Sequence, residues 1–229
     1  MYSVITGYAN MPVVDVTFWD AVRFANWMDN GEGSASTETG AYTLLGDTPT
    51  PSNALTVTRN AGATVWIPSE DEWYKAAYYD PTLNSGSGGY WLYPTRSNTA
   101  PGNVVGSGSN EANYNDGYYT EAGPNYLTAV GSFTNSASYY GTYDQAGDVW
   151  NWNDTLYDSN GDRVLRGGSW YYGADFLWSP GIYDQNPSIQ DYDSVGFRIA
   201  SDVPEPTSIM LMLAGVAGLA LMRRKTRKV

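Results

Sequence analysis

Tyr143-Asp144-Gln145-Ala146-Gly147-Asp148-Val149-Trp150-Asn151-Trp152, followed closely by Arg163-Val164-Leu165-Arg166-Gly167-Gly168-Ser169-Trp170, is the stretch that decides the fold. Trp150, Trp152 and Trp170 read as core residues, because large aromatic rings dominate core energetics. Gly167-Gly168 reads as a point where two backbones approach closely. Residues 163–165 have the apolar content of a strand. Asn160-Gly161, just before it, reads as a tight turn. That glycine stands too early after Asp158 for an EF-hand loop. Arg166, a rare cation in an acidic neighbourhood, is expected to form an internal ion pair, as is Arg198.

Working outward, two segments carry helix signals. Thr17 can cap a helix over residues 18–29, where Phe18, Ala21, Val22, Ala25 and Met28 recur at helical spacing and Gly31 supplies a stop. Ser69 and Glu72 form a capping box for a second, short helix, with Trp73, Ala76 and Ala77 facing inward and Asp80-Pro81 ending it. Residues 64–67, 129–133, 163–165 and 195–199 are the strand candidates. Residues 84–89 and 102–110 read as loops. Two helices among scattered short strands predict one α+β domain, residues 1–202, with little regular structure.

The 229 residues include no cysteine and no histidine. That excludes a thiol nucleophile, a disulfide scaffold, Cys-ligated zinc or iron–sulfur, and a Ser-His-Asp triad. The formal charge of −12 is unevenly placed. Residues 1–202 carry 7 basic and 23 acidic groups, a net of −16; residues 203–229 carry 5 basic groups against Glu205 alone, a net of +4. An acidic body whose only lysine is Lys75 predicts no nucleic-acid partner, since phosphate binding needs Lys and Arg.

Residues 207–222 contain no charge. As a helix they would span roughly 24 Å, a little less than a ~30 Å hydrocarbon core, and snorkelling of Arg223 and Arg224 would extend the reach. This predicts a transmembrane helix with its basic end in the cytoplasm. Pro204 and Pro206 break any helix arriving from the body. The order Pro204-Glu205-Pro206, apolar run, Arg/Lys cluster resembles the PEP-CTERM sorting signal of bacteria. The resemblance implies recognition by an exosortase, transient residence in the inner membrane, and display at the cell surface or in the extracellular matrix. Met1-Tyr2-Ser3 begins no export leader. A start upstream of Met1, or an amino-terminal truncation, is therefore expected.

Four stretches, in order, carry a second resemblance. They are Pro12-Val13 with Val16-Thr17-Phe18-Trp19-Asp20-Ala21 and Asn26-Trp27; Trp66-Ile67-Pro68-Ser69-Glu70-Asp71-Glu72-Trp73-Tyr74-Lys75-Ala76-Ala77; residues 141–152; and residues 163–170 followed by Val195-Gly196-Phe197-Arg198-Ile199-Ala200. Over residues 11–202 the chain is similar to the formylglycine-generating enzyme (sulfatase-modifying factor) family. The resemblance implies a variant of the C-type lectin fold with bound calcium. The segment that usually opens the family's domain is missing, which again suggests an amino-terminal truncation.

Catalytic members of that family oxidise a cysteine with oxygen and copper held by two cysteines. By count those positions fall at Leu177 and Ile182, which offer no ligand to soft Cu(I). A related branch holds iron on histidines. Neither copper nor iron is therefore expected, and the protein is expected to be noncatalytic. By the same resemblance one calcium would take the side chains of Asp144 and Asn151 and the carbonyls of Gly147 and Val149. A second would take Asn113 and the Tyr114 carbonyl, with Glu121 or Asp116 completing it. Tyr171, Tyr172, Trp178 and Tyr183 stand where the family forms its substrate groove, beside Asp175 and Asp184. Aromatic faces with nearby carboxylates suit sugar rings, so an extracellular polysaccharide is the expected ligand. The alternatives are a carboxylate-dependent enzyme using Asp175, Asp184, Asp191 and Asp193, or a structural matrix protein with no specific ligand.

Overall fold

The computed structural model describes residues 7–46, 49–106, 108–189 and 193–202. Helix α1, Phe18–Asp29, starts on a capping box: the Asp20 N–H donates to the Thr17 hydroxyl and the Asp20 carboxylate accepts from Thr17 N–H. The first four N–H groups of a helix lack intrahelical partners, and here Phe18 N–H also donates to Pro187 O at 3.1 Å, so these bonds fix the entry of the chain. Phe18, Ala21, Val22 and Ala25 are buried as the periodicity predicts, Trp19 is buried outside that pattern, and Met28 is only half-buried. Asn26 sits on the buried face instead, because its amide donates to Thr37 O and accepts from Tyr42 N–H, tying the 37–42 loop to the helix.

Strand β1, Val65–Trp66, precedes helix α2, Glu70–Tyr78, whose Ser69/Glu72 capping box is present. Trp73, Ala77 and Tyr78 are buried; Ala76, expected inside, is half-buried. The helix ends at Tyr78, ahead of the expected Asp80-Pro81 stop, because β2, Tyr79–Asp80, pairs antiparallel with β3, Gly89–Tyr90. In the expected 84–89 loop, the single turn α3, Leu83–Gly86, is not a regular helix, since Asn84 and Ser85 take positive φ of 52° and 59°, and it leads into β3.

The main sheet contains β4 (Trp150–Leu156), β5 (Arg163–Arg166), β6 (Tyr183–Gln185) and β7 (Val195–Phe197), in the order β6-β5-β4-β7. β4 pairs antiparallel with β5 and parallel with β7. The residue 158–162 segment joins β4 to β5 as a turn, its Asp158 carboxylate accepting from the N–H groups of Asn160, Gly161 and Asp162. β8, Ala200–Ser201, returns to pair with β1. Residues 129–133 form a turn rather than a strand: Ser132 N–H closes on Ala129 O, and Gly131 takes a positive φ of 80°. The 195–199 candidate ends as a strand at Phe197.

α1 packs on the sheet through Phe18, Trp19, Trp150, Trp152, Leu165 and Val195, all buried. Each such side chain contributes about 1.5–3 kcal/mol on leaving water. Among the described residues, no helix is long and apolar enough to cross a membrane. The predicted membrane helix at 207–222, Pro204, Glu205, Pro206, Arg223, Arg224 and Asp191 lie outside the described residues.

Candidate functional site

The expected ligand face forms on the sheet. Trp150 on β4 and Tyr183 on β6 lie across β5 from each other, and their rings stack at 5.4 Å and 25°. Tyr172 meets Trp150 edge-on at 5.6 Å and lies 6.4 Å from Tyr183. Phe176 closes the group at 4.7 Å from Tyr172. A small cleft of about 50 Å³ opens here, lined by Trp150, Tyr172 and Tyr183 with Gln185 and Ser194 as polar groups. Trp150 is buried and Tyr183 exposed, so the cleft has a rigid floor and an accessible ring.

The structure brings Tyr172 and Tyr183 together, whereas Asp184, the next residue on β6, does not line the cleft, because successive side chains of a strand point to opposite faces. Asp175 is exposed on a 3-10 turn, Ala174–Phe176, next to Phe176. Trp178 is exposed, but no ring contact joins it to the cluster among the described residues. Its loop is held from below by Arg166. The buried guanidinium pairs with Glu70, covers the Tyr74 ring and donates to the carbonyls of Ser179 (2.9 Å) and Gly181. The expected internal ion pair of Arg166 is therefore present, with a positioning role. Among the described residues Arg198 has no such pair: it donates to Asn151 Oδ1 (2.7 Å) and Tyr143 O (2.6 Å).

Leu177 is fully buried beside Tyr93, Ala112, Tyr114 and Ala146. Where the resemblance puts a copper-binding thiolate, this chain packs a core. Ile182, the other counted position, is exposed.

The candidate cation ligands are partly committed already. Asp144 takes φ 55°; one carboxylate oxygen accepts from Gly131 N–H at 2.7 Å, while the other, Oδ1, is buried with no donor. Burial raises its pKa, opposed by that N–H and by Arg198. Asn151 Oδ1 accepts from Trp73 Nε1–H (2.9 Å) and Arg198 Nε–H (2.7 Å), which occupies its lone pairs and places a positive charge beside it. Val149 O accepts from the Asn151 amide at 3.0 Å. Gly147 backs onto Asn113 in a short bridge. Asn113 donates its amide to Tyr126 O and Asp148, leaving a buried Oδ1 without a donor. Tyr114 O faces Asn103 and Thr120 at 3.4 Å, and Glu121 is exposed. Orphaned buried oxygens call for a cation or water. Asp144 and Asn113 therefore fit an oxygen-seeking cation, and Asn151 does not.

Two features escape the sequence. Asp148 is buried between Thr128 and Asn113, and burial pushes its carboxyl up to about 7 against their hydrogen bonds, with Asp144 adding repulsion. Only its place between Gly147 and Val149 hinted at this. The second feature is a stack of Tyr126 on Trp170 (4.5 Å, 15°) with Tyr119 at its edge. The Tyr118-Tyr119 doublet was its only sequence trace.

Comparison with known folds agrees with this geometry. Treponema denticola variable protein 1 is similar at 19% identity and a TM-score of 0.59, covering 88% of this chain and 76% of that one. CarF is similar at 22% identity and a TM-score of 0.60, covering 85% and 69%. PvdO from Pseudomonas aeruginosa gives 20% identity and a TM-score of 0.50, covering 85% and 63%. At these identities the likeness shows the fold alone. Residues 2–203 match the sulfatase-modifying factor enzyme 1-like domain, and residues 202–228 match the PEP-CTERM protein-sorting motif, which implies exosortase processing and sorting to the cell surface. The chain thus belongs to the sulfatase-modifying factor enzyme 1-like domain family, and its body is followed by a PEP-CTERM sorting motif.

Proposed function

We propose that this protein is a noncatalytic, surface-displayed binding domain whose ligand is a polysaccharide of the extracellular matrix. The observation that carries this reading is the cleft of Tyr172 and Tyr183 over Trp150, edged by Gln185 and Ser194. Aromatic rings receive the apolar faces of sugar rings, while amide and hydroxyl groups take sugar hydroxyls. Leu177 in the core supports the noncatalytic part. The body, residues 1–202, is presented by the tail: residues 207–222 hold it in the inner membrane as a helix until an exosortase processes it. A bound calcium belongs to the proposal at Asp144, supported by its donorless Oδ1, with no support from Asn151; the donorless Oδ1 of Asn113 supports the separate second site. Such an ion would supply charge balance and order to the loop, and no chemistry is assigned to it.

The test is binding of the purified protein to a panel of polysaccharides. Retention on at least one, lost at least tenfold in Tyr183→Ala with the near-UV dichroism intact, supports the reading. Absence of binding across a broad panel overturns it.

A further inference from the structure

The cleft is one end of a longer aromatic run. From Tyr119 the rings touch in unbroken order: Tyr119 to Trp170 at 5.6 Å, Trp170 to Tyr171 at 5.7 Å, Tyr171 to Tyr172 at 5.3 Å, and Tyr172 to Tyr183 at 6.4 Å. Tyr119, Tyr171 and Tyr183 are exposed, while Trp170 and Trp150 are buried beneath them. Asn115 N–H donates to Tyr172 O at 3.0 Å, fastening the loop that carries Tyr119 to the rest of the strip. A row of exposed rings held on buried ones is a platform, since contiguous exposed apolar surface of this kind marks interaction sites.

Charge narrows the ligand. Asp116 and Glu121 are exposed on the segment that carries Tyr119, Asp175 is exposed on the segment that follows Tyr172, and Asp193 is exposed as well. Asp193 is fixed beside the strip, its carbonyl accepting from Trp170 Nε1–H at 3.2 Å. Arg166, on β5 between the strands that carry Trp150 and Tyr183, is committed to Glu70 and two backbone carbonyls. A polymer bearing carboxylates or sulfates would meet like charge, which works against binding.

Resting on the binding function proposed above, we infer that the ligand is a linear polysaccharide, uncharged or amine-bearing, lying along Tyr119, Tyr171 and Tyr183 so that several sugars are held at once. Affinity then depends on chain length, as expected when successive contacts share one binding event.

The test titrates the full-length protein, in mild detergent, with a size series of N-acetylglucosamine oligomers, with the partly deacetylated polymer and with a polyuronate. Affinity is expected to rise at least tenfold from the dimer to long oligomers, and polyuronate binding to be at least tenfold weaker than the polymer's. Tyr119→Ala is expected to return the long oligomers to near the dimer's affinity while leaving dimer binding unchanged. Tyr171→Ala, at a more exposed ring, gives a second reading of the same loss. If long oligomers bind both variants as they bind the parent, the strip is overturned, although dimer binding lost in Tyr183→Ala would leave the cleft standing. Polyuronate binding as tight as the polymer's overturns the charge inference. Preference for an extended peptide over every glycan overturns both strip and cleft.

Discussion

Gly147→Ala tests the junction on which the central loop is built. Gly147 takes φ +72°, and a Cβ there would lie 2.0 Å from the Asn113 carbonyl oxygen. The obstacle is backbone and cannot rotate away. It is also pinned: Asp148 N–H donates to that same oxygen at 2.7 Å, and Gly147 N–H donates to Gly167 O at 2.7 Å. The left-handed conformation costs an L-residue about 1–2 kcal/mol. Relieving the overlap moves at least one of the two bonds out of range, and a buried group left unpaired costs a further ~1–3 kcal/mol. The expected destabilisation is therefore about 2–5 kcal/mol, a large share of the ~5–15 kcal/mol that holds a domain folded. Gly117→Ala is the control: it has a similar φ of +84° but nothing within 4 Å of its Cβ, so only the conformational cost remains. Urea denaturation followed by tryptophan fluorescence, in a chelator so that no cation contributes, measures both variants. If Gly147→Ala unfolds within about 0.5 kcal/mol of Gly117→Ala, the close approach is not rigid and the reasoning fails.

Arg166→Met leaves Glu70 without its buried partner and two carbonyls without a donor, and is expected to destabilise the fold by about 3–5 kcal/mol; a melt unchanged from the parent would show the pair contributes nothing. Burial alone would raise the Glu72 pKa, but donors from Ser69 N–H, Arg59 and Trp66 hold it below its ordinary value. Its folded pKa is thus depressed, so its stabilisation is present above the unfolded value and is lost as pH falls through the folded one. Glu72→Gln should accordingly lower the melting temperature at about pH 7 and make little difference at about pH 3; an equal gap at both would count against that assignment. Calcium at about 100 times its dissociation constant should stabilise the protein by roughly 2.7 kcal/mol, with Asp144→Ala abolishing the effect and magnesium failing to reproduce it. Replacing Pro204-Glu205-Pro206 by alanines should keep the tail attached when the protein is expressed with its exosortase, as read by intact-mass analysis; normal trimming would show that these residues are not the signal.

Much of the candidate site was legible because its parts are local. Tyr171, Tyr172 and Tyr183 stand close together in the chain, and a short segment can only disperse them so far. Trp178, equally close in sequence, makes no ring contact with them among the described residues, and Arg166, gripping the carbonyls of Ser179 and Gly181, sets the course of its loop. In strand β4 the alternation Trp150-Asn151-Trp152-Asn153 marks one inner face, yet the structure covers both faces and buries all four residues. Asn151 is held there by Trp73 and Arg198, which only folding brings to it, while the Asn153 amide donates to Asn151 O within the same strand. Residues 129–133 read as a strand from their apolar content, yet Gly131 is turned toward Asp144, a partner that composition does not reveal.

The sequence by itself determined the missing chemistry, the charge asymmetry, both capped helices and the order of the motifs, because each depends on residue identity or on spacing within a few turns of chain. Only the tertiary structure decided that Trp150 is the floor of a cleft, that Asn151 is already bound to Arg198 and Trp73, and that Tyr119 joins Tyr171 through Trp170. These contacts link residues tens of positions apart. Their formation depends on how β4, β5 and β6 pair and on which side chains that pairing buries, and no local pattern encodes it.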